Sequence, residues 1–199
     1  MTEPPVAPRP GPVPPGAGML LVAAPALLDP NFADTVVLLL DVNDEGALGV
    51  VLNRPSPVPV AEVLPEWGAL ASEPEVLFHG GPVGPDGALA VVLVGGPTDD
   101  PAGRVGFREV AGGVGLVDLE TPVELVAEGL AALRVFAGYA GWGAGQLEDE
   151  IAEGSWYVVP GEPHDAFHPD TGGLWREVLR RQPDELAWAS TRPADPGLN

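Results

Sequence analysis

The segment between residues 138 and 150 holds the densest group of residues that could do chemistry. It reads Gly-Tyr-Ala-Gly-Trp-Gly-Ala-Gly-Gln-Leu-Glu-Asp-Glu and leads into a predicted helix. A glycine-rich bend that opens a helix offers free backbone N–H groups and the positive end of the helix dipole, and both attract anions. One interpretation is therefore an anion or oxyanion cradle, with Glu148 as the candidate catalytic base.

The same segment has a structural interpretation, which we favour. Its spacing matches neither the dinucleotide-binding pattern nor the phosphate loop, and no Lys follows it. The glycines would allow Tyr139 and Trp142 to pack beneath a tight bend. The acidic residues 148–150 already suit the first turn of the following helix, so no bound anion is needed to explain the pattern.

His164 and His168 form the one metal-like spacing in the chain. Histidines at positions i and i+4 share a helix face, and Asp165 or Asp170 could add an oxygen ligand. Prolines directly before and after this stretch leave room for at most one helical turn. We favour two surface histidines over a metal site, and we predict neither a metal nor another cofactor.

Asn53 and Arg54 follow a predicted strand, in a chain that contains few basic residues. Arg54 could pair with an internal acid or bind a carboxylate-bearing ligand, and internal pairing is the interpretation we favour. We predict one ligand- or partner-binding surface that combines this pair with a Gly-Gly pair and the glycine-rich segment. Its members are Asn53, Arg54, Gly80, Gly81, Tyr139, Trp142 and Gln146.

Composition excludes several classes of mechanism. The 199 residues include no Cys and no Lys, which rules out disulfides, thiolate nucleophiles, Schiff bases and the phosphate-loop lysine. None of the serines lies in a Gly-x-Ser-x-Gly elbow. Nine basic residues, all Arg, against 29 acidic residues give a formal net charge of −20, which repels the phosphate backbone. Direct nucleic-acid binding is therefore not expected.

The N-terminal 18 residues hold seven Pro and three Gly, which predicts a disordered, proline-rich leader before a single domain at residues 19–199. The apolar run at residues 19–28 has one Arg upstream and acidic residues just after it, a poor match to a secretion signal. No stretch approaches the roughly 20 apolar residues of a membrane span. We expect a cytoplasmic protein with no membrane partner.

Apolar runs broken by Gly and Pro predict strands first and most helices later, which is typical of the α+β class with a mixed or mainly antiparallel sheet. Strands are predicted at residues 20–24, 35–40, 47–53, 76–79, 88–94, 105–110, 115–119, 133–137 and 155–159. Helices are predicted at residues 59–64, 121–130, 146–153 and 173–181, and a bend at 138–145. Thr121 is the predicted N-cap of the second helix, and Trp67 is predicted to be a core or lid aromatic.

Several motifs in register resemble the YqgE/AlgH family of bacterial proteins. They are Gly-Met-Leu-Leu-Val-Ala-Ala-Pro-Ala-Leu-Leu-Asp-Pro-Asn-Phe (18–32), Gly-Ala-Leu-Gly-Val-Val-Leu-Asn-Arg-Pro (46–55), Gly-Gly-Pro-Val (80–83), Gly-Tyr-Ala-Gly-Trp-Gly-Ala-Gly-Gln-Leu-Glu (138–148), Gly-Ser-Trp (154–156) and Asp-Pro-Gly-Leu-Asn (195–199). The resemblance runs from about residue 18 to the end and leaves out only the proline-rich leader.

The resemblance implies a compact, cytosolic α+β domain of mixed sheets and helices. The family has no agreed activity or cofactor, so the resemblance implies none for this chain. Some members carry the label of transcriptional regulator, which does not establish DNA contact. Family members often have a His just before the hairpin turn, where this sequence has Val42. A catalytic or metal role of that His is therefore closed to this chain.

Two main functional hypotheses follow. The first is a non-enzymatic, cytosolic protein that binds a protein or small-molecule partner and has a regulatory role linked to transcription. The alternative is a carboxylate-dependent hydrolase or isomerase that uses Glu148 and the cradle at residues 138–146. A nucleic-acid regulator is a third hypothesis, which the net charge of −20 disfavours.

Overall fold

Ten strands form one curled sheet in this computed structural model, which describes residues 13–95, 105–183 and 185–191. The strands are β1 (Leu20–Ala23), β2 (Val36–Asn43), β3 (Gly46–Val51), β4 (Pro55–Pro59), β5 (Val76–His79), β6 (Val83–Val94), β7 (Phe107–Ala111), β8 (Val114–Val117), β9 (Leu130–Gly143) and β10 (Trp156–Val159). The helices are α1 (Val60–Val63), α2 (Pro65–Gly68), α3 (Val123–Val126), α4 (Gln146–Ala152), α5 (Leu174–Arg180) and α6 (Glu185–Ala189), with a 3-10 helix at Pro163–Phe167.

The strand order is β10-β1-β2-β3-β9-β6-β8-β7, and neighbouring strands along this path are antiparallel. Strand β4 pairs with β5, and β5 runs parallel to β9. The prolines at both ends of β4 are tolerated because β4 has one ladder partner, β5, among the described strands. The predicted α+β class with a mainly antiparallel sheet is confirmed.

Strand β9 joins the two halves of the sheet. Residues 130–137 pair with β6, whereas residues 140–143 pair with β3. The predicted bend at residues 138–145 is therefore wrong. Ladder pairing with residues 46–49 of β3 keeps the chain extended to Gly143, and the turn comes only at residues 144–145.

The predicted helix at residues 121–130 is also wrong in its start and its length. Helix α3 has four residues, its N-cap is Pro122, and no side chain caps it. Gly129 adopts a left-handed φ of 79°, which ends the helical stretch, and the Gly129 carbonyl accepts a hydrogen bond from Gly95. Leu130 can then enter β9 directly.

Three apolar clusters form the core, and each places a helix against the sheet. The largest packs α5, through Leu174 and Trp175, against one face. The second packs Leu147 of α4 against the other face. The third contains Trp67 of α2, which is 3% exposed and is a core residue, in agreement with the sequence prediction.

Part of the predicted leader lies against this body. Gly18 donates its backbone N–H to the Leu39 carbonyl oxygen, and residues 17–18 form a turn before β1. Residues 1–12 and the motif at 195–199 lie outside the described residues. Within the described ranges, no helix is long and apolar enough to cross a membrane.

Candidate functional site

Asn53 and Arg54 fasten the long connection between β1 and β2 to the end of β3. The Asn53 side chain accepts a hydrogen bond from the backbone N–H of Val36 (3.0 Å) and donates one to the Asp34 carbonyl oxygen (2.9 Å). Arg54 Nη2 donates to the Ala33 carbonyl oxygen at 2.7 Å. Arg54 thus binds a backbone carbonyl, and no acidic side chain among the described residues pairs with it.

His79 and the Gly-Gly pair lie where β3, β5 and β9 meet. The backbone N–H of His79 donates to the Arg54 carbonyl oxygen, and Val51 donates to the Gly80 carbonyl oxygen, both at 2.8 Å. A Cβ atom at Gly80 would lie 2.2 Å from the Gly138 carbonyl oxygen. One at Gly81 would lie 2.2 Å from the Tyr139 carbonyl carbon. Only glycine permits these backbones to approach so closely.

A cleft of about 280 Å³ opens at this junction. It is lined by Pro30, Asn31, Val51, Arg54, His79, Gly81 and Pro82. Arg54 is partly buried and His79 is exposed, so both can meet solvent or a ligand. None of these described lining residues is acidic, although acids outnumber bases by 29 to nine in the whole chain.

Trp142 and Gln146 of the predicted surface do not line this cleft. Trp142 is 6% exposed and packs at ring-centroid distances of 6.1 Å from Phe32 and 6.0 Å from Trp156. Gln146 accepts a hydrogen bond from the Gly143 N–H. Tyr139 is partly buried and packs against the largest core cluster. The structure therefore divides the predicted surface into the cleft and an aromatic cluster (Phe32, Trp142, Trp156).

The loop between β1 and β2 connects the cleft with the aromatic cluster. Pro30 and Asn31 line the cleft, and the next residue, Phe32, enters the aromatic cluster. A shift of this loop would therefore move both cleft residues and a side chain that contacts Trp142 and Trp156.

A carboxylate that the sequence analysis did not single out supports the aromatic cluster. Oε2 of Glu150 accepts hydrogen bonds from the indole Nε1 of Trp142 (2.9 Å) and of Trp156 (2.8 Å), while Oε1 accepts from Gln146 (3.0 Å). The Glu-Asp-Glu run is visible in the sequence, but the return of β10 beside α4 is what brings Trp156 to Glu150. Glu150 therefore has a structural role.

Glu148, the candidate catalytic base, is exposed on α4. The cradle predicted at residues 138–146 is not formed, since residues 140–143 engage in the ladder with β3. Helix α4 begins after Gly145 and has seven residues. Glu148 thus lies on the solvent-exposed face of α4 and does not line the cleft described above.

His164 lies within the 3-10 helix, and His168 is the residue that follows it. Nε2 of His168 lies 3.0 Å from a Glu177 carboxylate oxygen, and Nδ1 lies 3.0 Å from the Asp170 carbonyl oxygen. Both ring nitrogens are thus engaged within the protein. Across residues 13–95, 105–183 and 185–191, no group of three or more His, Asp or Glu is arranged to hold a metal ion.

Arg134 is a buried cation that the sequence analysis missed. Its side chain is 1% exposed, and its terminal nitrogens donate to the carbonyl oxygens of Glu73, Ala166 and His168. Burial lowers the pKa of Arg134 to about 10, so the side chain stays charged at neutral pH. The signal in the sequence is a single Arg inside the apolar run of residues 133–137.

The fold and the cleft define a class of protein: a single α+β domain with a curled, mainly antiparallel sheet and a small polar cleft where three strands meet. The chain belongs to the AlgH-like family (DUF179), whose family model matches residues 20–187. It is similar to a UPF0301 protein of Streptomyces avermitilis, 59% identical over 182 residues, which cover 92% of this chain and 94% of that relative.

Two solved structures share the fold. One is a crystal structure of a protein from Corynebacterium diphtheriae, with 34% identity, a TM-score of 0.86 and coverage of 91% of this chain and 94% of that one. The other is a solution structure of AlgH from Pseudomonas aeruginosa, with 28% identity, a TM-score of 0.61 and coverage of 89% and 94%. These similarities establish the family and the fold, and they assign no activity to the cleft.

Proposed function

We propose that this chain is a non-enzymatic binding protein whose ligand site is the cleft at Arg54 and His79. The observation that supports this most directly is the position of two basic side chains in a concave site without acidic lining, among the described residues of a strongly acidic protein. Small-molecule sites are concave and combine apolar walls with a few well-placed polar groups, and this cleft has that composition.

The residue inventory favours binding over catalysis. The chain has no Cys or Lys to act as a nucleophile. The exposed Glu148 lies on α4, outside the set of residues that line the cleft. A binding role needs none of these groups, whereas the carboxylate-dependent hydrolase or isomerase would need a carboxylate base within reach of a bound substrate. No carboxylate is among the described residues that line the cleft.

We further propose that any regulatory role is exerted in the cytoplasm through ligand or protein binding, without direct contact to DNA. The net charge of −20 opposes the electrostatic attraction that supplies most non-specific affinity for nucleic acid. A gel-shift titration at low salt tests this, because electrostatic binding is strongest there. Saturable retardation of a duplex by the purified protein would contradict the proposal.

Thermal-shift screening against a metabolite library tests the binding function. A ligand at 100 times its Kd stabilises the folded state by about 2.7 kcal/mol. For a protein of this size, that stabilisation raises Tm by roughly 5–10 °C. We expect at least one compound to produce such a shift in the native protein.

Variants then locate the binding site. The ligand-induced shift in Tm should be lost in Arg54→Gln and reduced in His79→Ala. The His79 side chain makes no hydrogen bond within the described structure, so its removal should affect the ligand more than the fold. Arg108→Gln, at an exposed position on β7 outside the cleft, should behave as the native protein. A ligand whose shift is the same in all three variants binds elsewhere. Turnover of a substrate that Glu148→Gln abolishes without unfolding would instead support the hydrolase or isomerase hypothesis.

A further inference from the structure

The chemistry of the cleft indicates which class of ligand it accepts. We propose that it binds a small organic anion through a carboxylate or phosphate group held by Arg54, with the carbon skeleton against the apolar wall. This inference rests on the binding function proposed above and specifies its ligand.

The hydrogen bonding of Arg54 leaves a two-pronged donor available. A guanidinium carries one N–H on Nε and two on each terminal nitrogen. Within the described structure, Arg54 uses one of these, from Nη2 to the Ala33 carbonyl oxygen. The second N–H of Nη2 points along either the Nε edge or the Nη1 edge, so in both cases one complete edge keeps two parallel donors. Such an edge matches the two oxygens of a carboxylate or phosphate.

The hydrogen bond to Ala33 also orients Arg54. The acceptor belongs to the loop that Asn53 fastens to β2 and β3, so the guanidinium is held before a ligand arrives. A side chain that is already placed loses less conformational entropy on binding, and the affinity rises accordingly.

The other polar groups of the cleft also favour a negatively charged ligand. His79 is exposed there, and its imidazole can donate a hydrogen bond to an oxyanion. The Asn31 side-chain amide has no hydrogen-bond partner in the described part of the chain and can donate as well. The absence of acidic groups from the described lining matters, because a carboxylate there would repel an anionic ligand.

The apolar part of the cleft lining favours an organic anion over an inorganic one. Pro30 and Pro82 are exposed and supply apolar surface beside the polar groups. The volume of about 280 Å³ lies near the lower end of the range for small-molecule sites. A short carbon chain or small ring with one or two acidic groups fits both the volume of the cleft and its combination of polar and apolar lining residues.

Two-dimensional NMR titration of the full-length protein tests the inference with defined probes. Succinate and glycerol phosphate serve as organic carboxylate and phosphate, inorganic phosphate as the ion alone, and succinamide as the neutral analogue of succinate. We expect saturable shifts of the Asn31, His79 and Gly81 amides with at least one organic anion. Succinamide and inorganic phosphate should bind at least about tenfold more weakly, because succinamide lacks the negative charge and inorganic phosphate lacks the carbon skeleton.

Two substitutions at Arg54 separate charge from geometry. Arg54→Lys keeps the positive charge but loses the planar pair of donors, so affinity should fall about tenfold; Arg54→Gln should lose more. Arg108→Gln is the matched control and should leave the affinity unchanged. Undisturbed amide shifts of strands β7 and β8, which do not line the cleft, show in each Arg54 variant that the fold is intact.

The outcomes distinguish this inference from the binding function itself. If succinamide or another neutral compound saturates the cleft as tightly as the anions do, the anionic class is wrong and the binding function stands. If Arg54→Lys binds the anion as tightly as the native protein, the two-pronged recognition is wrong. If neither these probes nor any library compound shifts the cleft amides, both the anionic ligand class and the binding function are wrong.

Discussion

The guanidinium carbon of Arg134 lies 4.3 Å from the centre of the Phe78 ring. This contact crosses from β9 to β5, at the strand pair that leads into the cleft. A cation over an aromatic face gains electrostatic stabilisation, and more so when both are removed from water. Arg134 therefore links the parallel pairing of β5 with β9 to the carbonyl groups of Glu73 and the 3-10 helix region.

Removing the Arg134 side chain should destabilise the protein. Arg134→Met fills much of the volume but leaves the carbonyl oxygens of Glu73, Ala166 and His168 without their donor. We expect a loss of about 2 kcal/mol in the free energy of unfolding, a value that already includes the saved cost of burying the charge. Arg134→Ala adds a cavity and should lose about 4 kcal/mol. Urea denaturation measures both, and Arg108→Met at an exposed site should stay within about 0.5 kcal/mol. A fully stable Arg134→Met would show that the burial cost of the charge outweighs its hydrogen bonds.

Glu150 should be far more important for stability than Glu148 on the same helix. Glu150→Ala leaves two largely buried indole N–H groups without an acceptor, at an expected cost of about 2–4 kcal/mol. Glu148→Ala removes an exposed side chain and should cost no more than about 0.5 kcal/mol. Urea denaturation followed by tryptophan fluorescence measures the difference. Equal stability of the two variants would contradict the structural role of Glu150.

A methyl group at Gly81 should not fit. The added Cβ would lie 2.2 Å from backbone atoms of Tyr139, so the two backbone segments must separate. We expect Gly81→Ala to lose about 2 kcal/mol or more in the free energy of unfolding. Gly172→Ala is the matched control, because its Cβ would have 3.6 Å to its nearest neighbour and its backbone needs no left-handed conformation. Thermal unfolding of both variants checks the contrast, and a native-like Tm for Gly81→Ala would overturn it.

Asn53 should control the loop between β1 and β2. Asn53→Ala removes a donor and an acceptor from that loop, so we expect a loss of about 1–2 kcal/mol and faster proteolysis between residues 25 and 34. Asn31→Ala changes the same loop at a side chain without a hydrogen bond in the described structure and should be cleaved at the native rate. Mass spectrometry of the fragments locates the cut. Equal cleavage rates for the two variants would show that Asn53 does not hold the loop.

Apolar periodicity is sufficient to predict most strands and the fold class, because most strands contain a short apolar run of the kind that this pattern detects. It failed at residues 138–143, where glycines typical of a bend lie inside a strand. Those glycines permit close backbone approach between distant segments, as Gly138 shows: its Cβ would lie 2.7 Å from the Gly81 carbonyl oxygen. Nothing local in the sequence indicates such a contact.

The same contrast between local signals and tertiary contacts explains why the sequence predicts only part of the candidate site. Arg54 and Gly81 were identified as local signals, and both line the cleft. The positions of Asn31 and His79 in the cleft depend on the loop between β1 and β2, which Asn53 and Arg54 bind at the end of β3 and which only the tertiary structure reveals. Trp142 was assigned to the same surface because its sequence neighbours are glycines, yet its indole points to Glu150.

The late position of β9 in the chain also constrains how the molecule can fold. Strands β3, β5 and β6 all pair with β9, so none of them completes its ladder until residues 130–143 have left the ribosome. Pairings between such distant segments slow folding, since a long loop must close before the contacts form. The apolar strands made first would remain exposed to other chains during that interval, so the nascent protein is most prone to aggregation before residues 130–143 are made.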